Sequence, residues 1–370
     1  MRSNNLSIVL KQFLVVLLLV FGMVSMAAHG GDIFKCRDAA GRIAFQDSPC
    51  HGGSSGKKIG TDPFLATSKA TSSTTPAPEA AATTPSTSER PPLAEASEPG
   101  GKNFAWRITK GKQHGYLMGS IHFGKKEMYP LPDALLKPFG KSDALVVEAN
   151  MLEVDPAMLM QMVMSGGMYN DGTTLKQALD KATWNKLTAA VAKLGMPLPM
   201  IQAQRPWLAS MTMTTFALKK IGLSEELGID QFFLKQAKQS GKPIRELESA
   251  KQQMALLSGL SPAVQLAMLQ QTLEDVEGAG DYFDLMLKAW QAGNPHSLDE
   301  LYIEDIQKSV ASRELFRVMI TDRNVTMSKG IEKMLKGGCN CFVVVGAGHL
   351  GGEKGIISLL QKKGYKTEQL

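Results

Sequence analysis

The strongest constraint on the fold of this chain is a matched pair of apolar, β-leaning runs that stop at glycine and then present a histidine. Tyr116-Leu117-Met118 runs into Gly119-Ser120-Ile121-His122, and Cys341-Phe342-Val343-Val344-Val345 runs into Gly346-Ala347-Gly348-His349. Open α/β sheets gather ligands and catalytic groups at the carboxyl ends of their strands. Two more apolar runs end in carboxylates, Ala144-Leu145-Val146-Val147-Glu148 and Pro243-Ile244-Arg245-Glu246-Leu247-Glu248. The pattern predicts one convergent site assembled from four distant segments.

The residue types at these ends limit what such a site can do. Glycine lets the backbone turn tightly and lets another group approach. A histidine there can bind a metal through a ring nitrogen or move a proton near neutral pH. A packed, hydrogen-bonded histidine would suit either turn alone; the matched carboxylates favour a site. Glu148 closes a strand expected to be buried, and a buried carboxylate needs a histidine, an arginine or a metal as partner. Glu248 repeats the argument with a weaker strand signal, with Gln253 one helical turn further on. Arg323, beside Asn324 in a helix lined by Val318, Met319 and Met327, is suited to clamp a carboxylate or an oxyanion, or to lie on the surface. Met158, Met160, Met162 and Met164 scatter around a helix at alternate spacing, which favours packing over soft-metal binding.

Around this core the chain is segmented. Arg2 and Lys11 precede an apolar run from Phe13 to Met26, and Ser25-Met26-Ala27 supplies small residues for cleavage. The run is shorter than the roughly 20 residues of a membrane-spanning helix, so residues 1–28 read as a cleaved secretory signal and the mature protein as periplasmic or secreted. Residues 29–52 form a small strand-turn-strand module bracketed by Cys36 and Cys50, whose disulfide would stabilise it by about 3 kcal/mol. Residues 53–101, rich in Ala, Thr, Ser and Pro, read as a disordered linker. Cys339 and Cys341 are either a strained bond or two half-buried thiols.

The main domain, residues 102–370, begins with a hairpin of Phe104–Thr109 and Tyr116–Ser120. Apolar residues at three-and-four spacing predict helices over Thr174–Leu194, Pro206–Ile221, Leu227–Ser240, Gln252–Leu273, Tyr282–Gln291 and Leu315–Leu335. Asp230 breaks the apolar stripe of the third. The class is α/β, a central sheet with a large helical insertion. A formal charge of +6 without a dense basic block, and 6% aromatics, give no nucleic-acid surface. Metalloprotease HExxH and P-loop signatures are absent from the sequence, and no GxSxG forms a nucleophile elbow between an apolar strand and a helix: the one match, Gly52–Gly56, opens the linker-like stretch.

With these residues in hand, the main domain resembles the TraB/GumN family, to which the Tiki proteases belong. The resemblance runs through Gly119-Ser120-Ile121-His122, Ser142–Glu148, Arg205-Pro206-Trp207-Leu208, Gly228-Ile229-Asp230, Leu247-Glu248-Ser249 through Gln253, Arg323-Asn324 and Val345–Leu350. It implies a fold related to the erythromycin esterase and ChaN-like group. It also implies either a divalent metal of the manganese or cobalt type in peptide cleavage, or a histidine base acting on water without metal. By position it marks His122, Glu148, Glu248, Arg323 and His349 as catalytic, with His122, Glu148 and His349 as the metal set. The Cys36–Cys50 stretch resembles a domain of unknown function, family 4124. Two functions follow: a periplasmic hydrolase of a peptide or ester bond, with Glu248 as general base and Arg323 at the developing charge, or a non-enzymatic envelope protein that binds a peptide, ester or glycan ligand in the same pocket. Membrane contact is expected only through the cleaved signal.

Overall fold

A computed structural model describes residues 33–37, 43–46, 55–60, 102–306 and 309–370. The expected signal segment and the Cys36–Cys50 bond lie outside these residues. The chain divides into two units, Ser25–Ala94 and the remainder. In the first, strands β1 (Ile33–Arg37), β2 (Ile43–Gln46) and β3 (Ser55–Gly60) form an antiparallel sheet in the order β2-β1-β3. The strand β3 falls in the stretch that composition assigns to the linker. Its sequence, Ser-Gly-Lys-Lys-Ile-Gly, carries no apolar alternation, and an edge strand joined through main-chain hydrogen bonds leaves no compositional trace.

The second unit is built on a six-stranded mixed sheet. Its strands are β4 (Ala105–Lys110), β5 (Gln113–Ser120), β6 (Ala144–Val147), β7 (Ile244–Glu246), β8 (Cys341–Gly346) and β9 (Lys366–Gln369), in the order β7-β6-β8-β5-β4-β9. The strands β7, β6, β8 and β5 run parallel, and β4 is antiparallel to both its neighbours. Every residue of β6 and β8 is buried, as expected of central parallel strands covered on both faces. The outer strands β7 and β9 are mostly half-exposed or exposed. The hairpin between β4 and β5 is tighter than its sequence suggests: Lys110 pairs with Gln113, and Gly111 takes a φ of 59°. Gly115 belongs to β5 instead of the turn. A Cβ there would lie 2.8 Å from the Leu335 side chain, so this glycine admits the helix Asp322–Lys336 onto the sheet.

Phe342 of β8 joins the helices Asp133–Lys141 and Ile229–Ser240 to one face, with ring centroids 5.7 Å from Phe139 and 5.0 Å from Phe233. Helices are numerous, and many form a second core around Trp207, Met254, Val264 and Met319. Met162 packs on this core while Met158, Met160 and Met164 are exposed. Two long helices of the sequence pattern are split. The first breaks at Leu179-Asp180, where the Asp180 carboxylate accepts from the Thr183 amide and starts Lys181–Leu194. The second breaks before Pro262, with Ser261 as the new cap of Pro262–Asp275. Leu315–Leu335 contains a π-helical stretch, Arg317–Thr321, before the helix Asp322–Lys336. Cys339 and Cys341 are joined by a disulfide, with Cα atoms 5.2 Å apart. Among the described residues no helix is long and apolar enough to cross a membrane.

Candidate functional site

Because β7, β6, β8 and β5 are parallel neighbours, their carboxyl ends share one edge, and Glu248, Glu148, His349 and His122 follow them there in that order. Pairing continues past β7: the Leu247 and Glu248 amides donate to the Val147 and Glu148 carbonyls at 2.9 and 2.8 Å. The two carboxylates therefore leave the sheet side by side. All five expected site residues are buried, from 0% exposed at His349 to 9% at Glu248.

Arg323 enters from the first turn of Asp322–Lys336 and occupies the middle of this group. Its Nε donates to both oxygens of Glu248 at 3.1 and 3.0 Å, and Nη2 donates to Glu148 at 2.5 Å and to Glu248 at 2.8 Å. Its Nη1 donates to the Met319 carbonyl, a residue of the π-helical stretch, at 3.0 Å and meets His349 Nε2 at 3.2 Å. A guanidinium has five N–H groups, and these partners take all of them. The expectation of an oxyanion clamp at Arg323 is therefore not met: no donor is left to turn toward a substrate. Nor is Glu248 placed as a general base, since both its oxygens accept from Arg323. Burial opposes the charge on Arg323, but Glu148 and Glu248 outweigh it and hold its pKa above the ordinary value.

The tautomer of His349 follows from its neighbours. Asn324 donates through Nδ2 to the Lys354 carbonyl at 3.0 Å, which turns Oδ1 toward His349 Nδ1, 2.6 Å away. Nδ1 carries the proton, and Nε2 accepts from Arg323. Burial, and next the Arg323 guanidinium, hold the His349 pKa well below its ordinary value, so the ring is neutral. Glu148 is equally engaged: Oε1 accepts from the Gly346 amide at 2.6 Å, and Oε2 accepts from Arg323 and from Gln253 at 3.2 Å.

His122 lies across the edge, where a cavity of about 30 Å³ is lined by Ser120, His122, Glu148, Asp230 and Gln253, among others. Its Nδ1 is 3.2 Å from Asp230 Oδ2. Asp230 is the site residue that sequence reasoning passed over, although its break in an apolar stripe was the available signal. Gly228 brings it there. A Cβ at Gly228 would lie 2.3 Å from the His122 carbonyl oxygen, and the Ile229 amide donates to the Ile121 carbonyl at 2.9 Å. The Tyr129 hydroxyl secures the same turn by donating to the Leu227 carbonyl at 2.8 Å. Burial, and then the Asp230 carboxylate, push its pKa up. Ser120 Oγ and Asp230 Oδ1 are buried without a hydrogen-bond partner among the described residues, so both remain available to a molecule entering the cavity.

Residues 104–369, nearly the whole of this unit, match the TraB/PrgY/gumN family. The chain belongs to that family. Residues 17–98 match a domain of unknown function, DUF4124. The family member is similar to an uncharacterized protein, YbaP, of Shigella flexneri and of Escherichia coli (strain K12). Each is 29% identical over 265 residues, covering 70% of this chain and 94% of the relative. No solved structure matches.

The metal implied by the resemblance can be tested against the donors. Among the described residues no three His, Cys, Asp or Glu side chains are grouped to hold a metal ion. Two of the expected three are committed elsewhere, His349 Nε2 to Arg323 and Glu148 to Arg323, Gln253 and the Gly346 amide, while His122 Nδ1 faces Asp230 at 3.2 Å. As arranged, these residues do not fit a divalent ion.

Proposed function

We propose that this edge is the active site of an envelope hydrolase in which His122 acts as general base on water, oriented by Asp230. The observation that carries the proposal is the His122–Asp230 contact at the wall of a cavity large enough for about one or two waters. A carboxylate at Nδ1 favours the tautomer protonated there and leaves the lone pair on Nε2. The imidazole takes a proton from water as the oxygen attacks the carbonyl carbon of a peptide or ester. Collapse of the tetrahedral intermediate breaks the C–N or C–O bond, and the imidazolium returns its proton to the leaving amine or alcohol. Ser120 Oγ can donate to the water or to the developing oxyanion. Glu148 lines the cavity beside them, and Arg323 ties it to His349 and Glu248.

The test is a panel of peptide and ester substrates with the purified chain. His122→Ala should lower kcat by roughly 10²- to 10⁴-fold, and Asp230→Asn should lower it with little change in KM. Full turnover by His122→Ala overturns the proposal, as does a panel on which the intact chain hydrolyses nothing.

A further inference from the structure

We infer that Arg323 is the resident cation of this site, a guanidinium standing at the point where a divalent ion would otherwise bind. Three side chains of metal-ligating type converge on it, Glu148, Glu248 and His349, within 2.5–3.2 Å of its nitrogens. Glu248 and His349 reach Arg323 from opposite sides of Glu148 in the strand order, so the group is one pocket instead of a chance surface pair. Charge supports the assignment. Two buried carboxylates, Glu148 and Glu248, face the single guanidinium of Arg323. Burying a carboxylate without a cation is strongly unfavourable, so whatever replaces Arg323 must carry positive charge, and a divalent ion would neutralise the cluster fully. The ligand types are those of a manganese, cobalt or zinc site: two carboxylates and an imidazole whose Nδ1–H is fixed by Asn324. An arginine side chain is covalently held, so the site keeps its cation in the presence of chelators.

The inference goes beyond the hydrolase proposal and is tested without any substrate. The full chain, Arg323→Ala and Arg323→Lys are dialysed against a chelator, then titrated with Mn²⁺, Co²⁺ and Zn²⁺. Bound metal is followed by elemental analysis and calorimetry, and stability by thermal melting. The intact chain and Arg323→Lys should bind no metal in a manner sensitive to Glu148→Gln. Arg323→Ala should melt lower than the intact chain. It should then recover by roughly 5 °C when Co²⁺ or Zn²⁺ reaches about 100 times its Kd, approach one ion per chain, and lose that ion on addition of Glu248→Gln. Stoichiometric metal on the intact chain that Glu148→Gln removes overturns the inference. So does a folded Arg323→Ala protein indifferent to all three ions. If Arg323→Ala does not fold without metal, recovery of a cooperative melt on adding metal supports the inference, and continued unfolding in all three ions counts against it.

Discussion

Replacing Gly228 with alanine probes how the His122–Asp230 pair is held. Gly228 has φ −63° and ψ 146°, angles any residue adopts, so its backbone conformation does not require glycine. The requirement is space: the added Cβ would sit 2.3 Å from the His122 carbonyl oxygen and 2.8 Å from its carbonyl carbon. Ordinary contacts lie near 3.5 Å, so the turn must retreat by about 1 Å. Overpacking of this kind costs roughly 1–3 kcal/mol. At about 2–4 °C per kcal/mol for a domain of this size, the melting temperature falls by roughly 2–12 °C. The retreat also stretches the Ile229–Ile121 hydrogen bond and draws Asp230 away from His122, and in the proposed mechanism a misplacement of this size should lower kcat on the order of 10²-fold. Gly140 supplies the control. It lies in the helix Asp133–Lys141 with no heavy atom within 4 Å of a built Cβ, so Gly140→Ala should raise stability by about 0.5–1 kcal/mol. Circular-dichroism melts compare the two, and NMR titration of the His122 ring follows the pair directly. A Gly228→Ala chain that melts at or above the intact protein, with an unchanged His122 titration, refutes the argument.

Three more predictions can be checked on the same material. The native pKa of His349 lies below its unfolded value near 6.5, so on acidification the unfolded chain takes up a proton that the native one does not. Its contribution to stability is present above pH 6.5 and falls by up to about 1.4 kcal/mol per unit below it; denaturant melts from pH 7.5 to 5.5 should show a shallower slope in His349→Gln. Asp180→Ala removes the cap of Lys181–Leu194 and should cost about 1 kcal/mol in a urea melt. Reducing Cys339–Cys341 opens a very small loop, so loop-closure entropy predicts a loss below about 2 kcal/mol by the same assay.

What the sequence made legible was the set of strand ends. Val343-Val344-Val345 and Leu145-Val146-Val147 can only be buried sheet, and their glycine and glutamate terminators mark where the chain leaves it. The parallel order that sets these ends side by side depends on pairings between residues far apart, which local pattern does not encode. Arg323 and Asp230 illustrate the limit. Each is a charge on an otherwise apolar helix face, and sequence alone cannot tell a surface arginine from one wrapped by Glu148, Glu248 and His349. The π-helical stretch that aims the Met319 carbonyl at Arg323 has no signature in residue type either. The breaks at Asp180 and Pro262 were readable as caps, but continuous apolar spacing on both sides masked them.

The place of β8 in the sheet has a consequence for how this protein is made. It lies between β6 and β5, pairing Val343 with Leu117 and Val344 with Val147, yet it is synthesised long after both. Until it arrives, β5 and β6 cannot meet through it, and each presents an unpaired apolar edge to other chains. Contacts this distant in sequence make folding slow and the waiting intermediate prone to aggregate. The closing strand also carries His349 to the candidate site, so the step that seals the sheet is the step that brings Glu148 and His349 together. A nascent or truncated chain lacking β8 would have neither, and one assay for a sealed sheet would serve for both.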